Sequence, residues 1–106
     1  MIDDKKIIEL IIEAELLLEG LPKGFWRLIK LSPFEIWETQ EDAELEYIWV
    51  VAIFGNRCVF YDELKKGFVI GQYDEHGELG EHSIDGSASK LDYLVESIIN
   101  ARFVID

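Results

Sequence analysis

Leu45-Glu46-Tyr47-Ile48-Trp49-Val50-Val51-Ala52-Ile53-Phe54-Gly55-Asn56-Arg57-Cys58-Val59-Phe60-Tyr61-Asp62 is the stretch from which the fold can be read. Two runs dense in β-branched and aromatic residues flank Gly55-Asn56, and a two-residue spacing of that kind is the signature of a primed hairpin turn. With that loop, Phe54 faces Arg57, Ile53 faces Cys58 and Val51 faces Phe60. One face then carries Trp49, Val51, Ile53, Cys58 and Phe60. The other carries Ile48, Val50, Ala52, Phe54, Val59 and Tyr61. Both faces are apolar, whereas a hairpin with one wet face alternates, so something must cover each.

Downstream, Glu63 to Gly67 reads as a turn and Phe68 to Tyr73 as a strand. Asp74-Glu75-His76-Gly77 reads as another turn, followed by a short strand over Glu78 to Ile84. Upstream, Phe25 to Ser32 and Phe34 to Thr39 read as two extended runs separated by Pro33, a residue that cannot donate to a ladder. Ile7, Ile8, Ile11, Ile12, Leu16 and Leu18 recur at helical spacing, Asp3 and Asp4 suit the positive end of a helix dipole, and Gly20 with Pro22 supplies a stop. A first helix is therefore expected from Asp3 to Glu19. A second is expected near the C-terminus, capped by Ser87 or Ser89, with Leu91, Leu94, Val95, Ile98 and Ile99 as its stripe and Arg102 near its negative end.

The expected class is α+β: an antiparallel meander sheet of about five or six strands flanked by an N-terminal and a C-terminal helix, because the strands are contiguous and no strand-helix crossover repeats. Both helices are expected on one face, against Trp49, Val51, Ile53 and Phe60. Residues 1–106 have room for one domain.

Charge is the most informative feature for function. Ten basic and 22 acidic residues leave a net charge of −12. Glu35, Glu38, Glu41, Asp42, Glu44 and Glu46 are six acids in a segment with no base, and Asp74, Glu75, Glu78, Glu81 and Asp85 are five more in another. Eleven of the twelve net charges thus sit on two expected bends and their flanking strand ends. Such acidity speaks against direct binding of nucleic acid or an anionic membrane and favours a basic protein partner. The residues expected to meet it are Glu38, Glu41, Asp42, Glu44, Glu46, Asp74, Glu75, Glu78, Glu81 and Asp85. The bland alternative is that acidic turns only keep a small domain soluble. Clustered like charges nevertheless cost stability through self-repulsion, which scattered lysines would not.

Chemistry beyond binding is sparse. His76 and His82 lie six apart among carboxylates, in no established metal spacing, and the Asp74 to Gly77 run departs from a calcium loop. No cofactor, metal or catalytic set is expected, and the protein is read as a non-enzyme. Cys58, mid-strand in an apolar ladder, reads as a buried thiol, and one cysteine permits no internal disulfide. Glu9, Glu13 and Glu15 interrupt the longest apolar stretch, and no small-residue cleavage site follows it, so a cytoplasmic protein is expected. Trp26 and Trp37 read as core or rim packing, with interface anchoring as the alternative.

Gly24-Phe25-Trp26, Cys58-Val59-Phe60-Tyr61-Asp62-Glu63-Leu64 and Phe68-Val69-Ile70-Gly71 with Asp74 and Gly77 give the chain a likeness to a known group. Together with its size, acidity and helix-flanked meander, it resembles the immunity proteins of bacterial contact-dependent inhibition and other polymorphic toxin systems. The resemblance implies a cognate-specific inhibitor that covers or distorts the active site of a toxin domain, often a basic nuclease, and it carries over no catalytic residues. A different class is also open: a small acidic cytosolic secretion chaperone, holding its client on apolar surface. The two-sided apolar hairpin favours that class, and the short chain speaks against it. Whether the protein is a monomer or a homodimer is left open by the sequence.

Overall fold

The computed structural model of the chain describes residues 3–38, 47–73 and 88–105. Their order is α1 (Asp4–Leu17), α2 (Gly20–Ile29), β1 (Lys30–Glu38), β2 (Tyr47–Phe54), β3 (Arg57–Asp62), β4 (Gly67–Gln72) and α3 (Leu91–Ile105). The class is α+β, with one four-stranded antiparallel sheet in the order β1-β2-β3-β4.

Four strands among the described residues replace the expected five or six. One difference is that Phe25 to Ser32 is largely helical. Phe25, Trp26 and Ile29 share one side of a helix at spacings of three and four, which the aromatic and β-branched composition disguised as a strand. Gly20 does not end the helical region. It opens α2 with φ +63°, and Pro22 sits in the first turn, where a missing N–H costs nothing. Another difference is that β1 runs on through Pro33, with a register shift between Lys30 and Glu35, and it can do so because it is an edge strand. The strand expected over Glu78 to Ile84 lies outside the described residues.

The hairpin holds near its loop. Phe54 pairs with Arg57 and Ile53 with Cys58, and Gly55 takes φ +60°, as the first loop position of a type II′ turn requires. Farther on, Ala52 pairs with Val59 but Val50 with Phe60, so the expected Val51–Phe60 pair is displaced by an extra residue in β2. That bulge leaves Val51 and Ala52 in one core. The helix-facing cluster comprises Trp49, Val51, Ala52, Val59, Phe68 and Ile70 from the sheet, with Ile7 and Ala14 of α1 and Leu18 just after it, Trp26 and Ile29 of α2, and Leu91, Leu94 and Val95 of α3. Ile53 and Phe60, expected under the helices, belong instead to the opposite face with Ile48, Val50, Cys58 and Val69.

Asp3 caps α1, its Oδ1 accepting the Lys6 N–H at 3.0 Å. Neither proposed serine is the residue before α3, which starts at Leu91 with the Leu94 N–H donating to the Lys90 carbonyl at 3.0 Å. Ser89 does something else: its N–H and C=O exchange hydrogen bonds with those of Phe68 at 3.0 and 2.8 Å, tying the approach to α3 onto the outer edge of β4. In the β3–β4 turn, Asp62 Oδ1 accepts from the N–H groups of Leu64 and Lys65 at 2.9 and 3.1 Å, and Lys66 takes φ +55°.

Candidate functional site

Of the ten carboxylates proposed from the sequence to meet a partner, Glu38 alone falls within the described residues, as the last residue of β1, opposite Tyr47. Glu41, Asp42, Glu44, Glu46, Asp74, Glu75, Glu78, Glu81 and Asp85 lie outside them. The frame does fix where the chain leaves and rejoins it. Glu38, Tyr47, Asp62 and Gly67 share one end of the sheet, and Lys30, Phe54, Arg57 and Gln72 the other. The first acidic stretch therefore departs and returns at the same end. The second departs beyond Gln72, at the far end, and rejoins at Ala88, which adjoins Gly67 at the first.

The described frame is close to neutral. It holds all ten bases and twelve of the 22 acids, and nine of the other ten acids belong to the two stretches. Nine of the twelve net negative charges belong to the two acidic stretches that lie outside the described residues.

No family model, curated protein or solved structure matches this chain.

The surface has a second feature, on α1 and α2. Glu15 Oε2 accepts from Trp26 Nε1 and from Lys30 Nζ, both at 2.8 Å. Burial disfavours the Glu15 carboxylate, but the hydrogen bonds from Lys30 and Trp26 and the charges of Lys30 and Arg27 outweigh it and hold the pKa below its ordinary value. Around this contact runs a groove. One part, of about 340 Å³, lies among Ile12, Leu16, Lys23 and Arg27, and another, of about 250 Å³, among Ile8, Ile11, Leu31 and Phe34. Glu15, Trp26 and Lys30 line both. Sequence reasoning missed the basic side because it read this segment as a strand; Lys23, Arg27 and Lys30 at spacings of four and three were the available sign of a helix with a cationic face.

A separate cleft of about 490 Å³ separates α1 from the β3–β4 turn and the start of α3, lined by Leu10, Tyr61, Phe68 and Leu91 together with Glu13, Lys66 and Lys90. Cys58 is fully buried, and burial, only partly opposed by a backbone hydrogen bond from Gly71, pushes its thiol up to about 11. Trp26 is buried in the helix-facing core. Trp37 packs edge-on against Tyr73 at 5.7 Å and donates to Glu35 Oε1 at 2.9 Å. Among the described residues there is no group of three or more His, Cys, Asp or Glu placed to hold a metal ion, and no helix is long and apolar enough to cross a membrane. His76 and His82 lie outside those residues.

Proposed function

We propose that the protein is an inhibitor of the immunity-protein kind, which captures a basic toxin domain of its own system through the carboxylates of its two acidic connections. The observation that carries this reading is the separation of charge: a nearly neutral frame of helices and strands, and nine carboxylates without a base on the connections it holds. Placed on connections, such charge steers a cationic protein toward one part of the surface, raising association from about 10⁵–10⁶ toward about 10⁸–10⁹ M⁻¹s⁻¹ at low salt. Speed of capture matters most for a partner that is harmful while free. The Glu38–Tyr47 end of the sheet, where one connection is anchored at both ends and the other rejoins, is where we place the contact.

The test is stopped-flow association with the C-terminal domain of any large secreted protein encoded immediately upstream. The reading expects about nanomolar affinity, an association rate that falls steeply with ionic strength, and loss of rapid capture when Glu41, Asp42, Glu44 and Glu46 are all changed to Lys. An association rate untouched by salt and by that charge reversal would refute it.

The secretion-chaperone reading keeps one specific support, the exposed apolar residues Ile8, Ile12 and Leu16 along α1. Its earlier support weakens, since Ile48, Val50, Cys58 and Phe60 on the second hairpin face are buried. Client binding that is insensitive to salt and abolished by Leu16→Asp would favour it.

A further inference from the structure

The two edges of the sheet differ. On β4 the outward N–H and C=O of Phe68 are taken by the backbone of Ser89, at 2.8 and 3.0 Å. β1 forms the other edge: it pairs with β2 on its inner side and with no described residue on its outer side. Its first half is guarded by Pro33 and by the register shift between Lys30 and Glu35, both of which spoil an edge as a template. The second half has no such guard. Glu35, Ile36, Trp37 and Glu38 pair in unbroken register with Val50, Trp49, Ile48 and Tyr47, so the N–H and C=O of every second residue point outward in the repeat that an added strand needs.

The side chains beside this open stretch select its occupant. On the helix-facing side Phe34 packs edge-on against Trp49 at 5.3 Å and Ile36 stays 48% exposed, an apolar shelf for a neighbouring side chain. On the other side Glu35 is exposed and makes no ion pair among the described residues; its Oε1 accepts from the Trp37 indole of the same strand. A residue set across from Glu35 on an added strand comes within about 5.5 Å of it, where an opposite charge stabilises and a like charge destabilises. A second copy is therefore a poor occupant. Antiparallel pairing of two such edges sets Glu35 of one protomer directly or diagonally opposite Glu35 of the other, and brings together two chains of net charge −12. We propose that residues 34–38 are a strand-docking edge, joined by an extended basic segment of the partner whose Lys or Arg lies beside Glu35 and whose apolar side chains lie beside Phe34 and Ile36. This deepens the inhibitor reading and rests on it for the identity of the partner.

Amide exchange by NMR, on the protein free and bound to the C-terminal domain of the secreted protein encoded upstream, tests it. In the free protein alternate amides over residues 34–38, those bonded to β2, should be protected and the intervening ones should exchange quickly. On binding, the intervening amides should slow about tenfold or more. Glu35→Lys with Ile36→Lys, two exposed positions, should keep native circular dichroism and weaken the complex about tenfold or more, because the basic segment then meets like charge. The amide measurement uses the unaltered chain, so it decides even if the double variant loses its fold. A complex that forms while the intervening amides exchange as before, or whose affinity a folded double variant leaves unchanged, overturns the docking edge and leaves the inhibitor reading standing. Failure of the basic domain to bind at all refutes both. Protection of the intervening amides in the free protein, together with a dimer in sedimentation velocity, gives the edge to a second copy and overturns the proposal.

Discussion

The indole N–H of Trp26 and the ammonium of Lys30 share one acceptor, Glu15 Oε2, each at 2.8 Å. Trp26 is only 1% exposed, so its N–H has little access to water, and the carboxylate of α1 is what satisfies it. This contact fastens α1 to α2 and lies in the middle of the groove between them.

Glu15→Ala removes the acceptor and leaves the indole N–H buried, which should cost about 1–3 kcal/mol in urea unfolding. Glu15→Gln keeps an amide oxygen for Trp26 and should recover much of that loss. The pH response follows from the same contact. The folded carboxyl titrates below its ordinary value of 4.5, so its contribution is complete above that value and is lost as pH falls through the lowered pKa. Acid unfolding of Glu15→Gln should therefore be shallower than that of the wild type below about pH 4.5.

Gly67 is needed for space. A Cβ there would meet the Ala88 Cβ at 2.8 Å and the Ser89 backbone N and O at 3.2 Å. Gly67→Ala should push residues 88 and 89 off β4 and destabilise the protein by about 1–3 kcal/mol. Amide exchange of Phe68 and Ser89, whose N–H groups bond each other's carbonyls, should accelerate more than exchange within β2 and β3.

The Cys58 thiol should resist thiol–disulfide exchange in the folded protein and react freely in denaturant, as followed with a chromogenic disulfide at pH 8. Its folded pKa of about 11 exceeds the ordinary 9.0, so stability is intact below 9.0 and declines as pH rises toward 11. Cys58→Ala should flatten that alkaline decline. Rapid labelling of the native protein would contradict the buried thiol.

Lys66 occupies the left-handed region at φ +55°, where a side chain is strained and glycine is not. Lys66→Gly should raise stability by up to about 1 kcal/mol, a shift in melting temperature of about 4–8 °C for a domain of this size. A lower melting temperature would show that the lysine side chain contributes more than its backbone costs.

Much of this architecture is legible in the chain itself, because it depends on interactions between near neighbours. The Gly55-Asn56 loop fixes the Phe54–Arg57 and Ile53–Cys58 pairs, and apolar spacing fixes α1 and α3, since both follow from local geometry. The concentration of acidic residues in two stretches of the chain is likewise plain from the sequence alone. Tertiary packing decided the rest. The bulge at Val51 arises where β2 must serve two cores, and it moves Ala52, Ile53 and Phe60 between faces in a way that strict alternation cannot foresee. Segment 25–29 has a strand's composition but becomes helix because Trp26 and Ile29 find their burial against α1 and the sheet at helical spacing. Ser89 left its expected role as a cap because the outer edge of β4 offered its backbone partners from a distant part of the chain. Local pattern sets which elements form; contacts between residues far apart in sequence set which face each side chain joins and which carboxylate, Glu15 among them, is drawn into the frame.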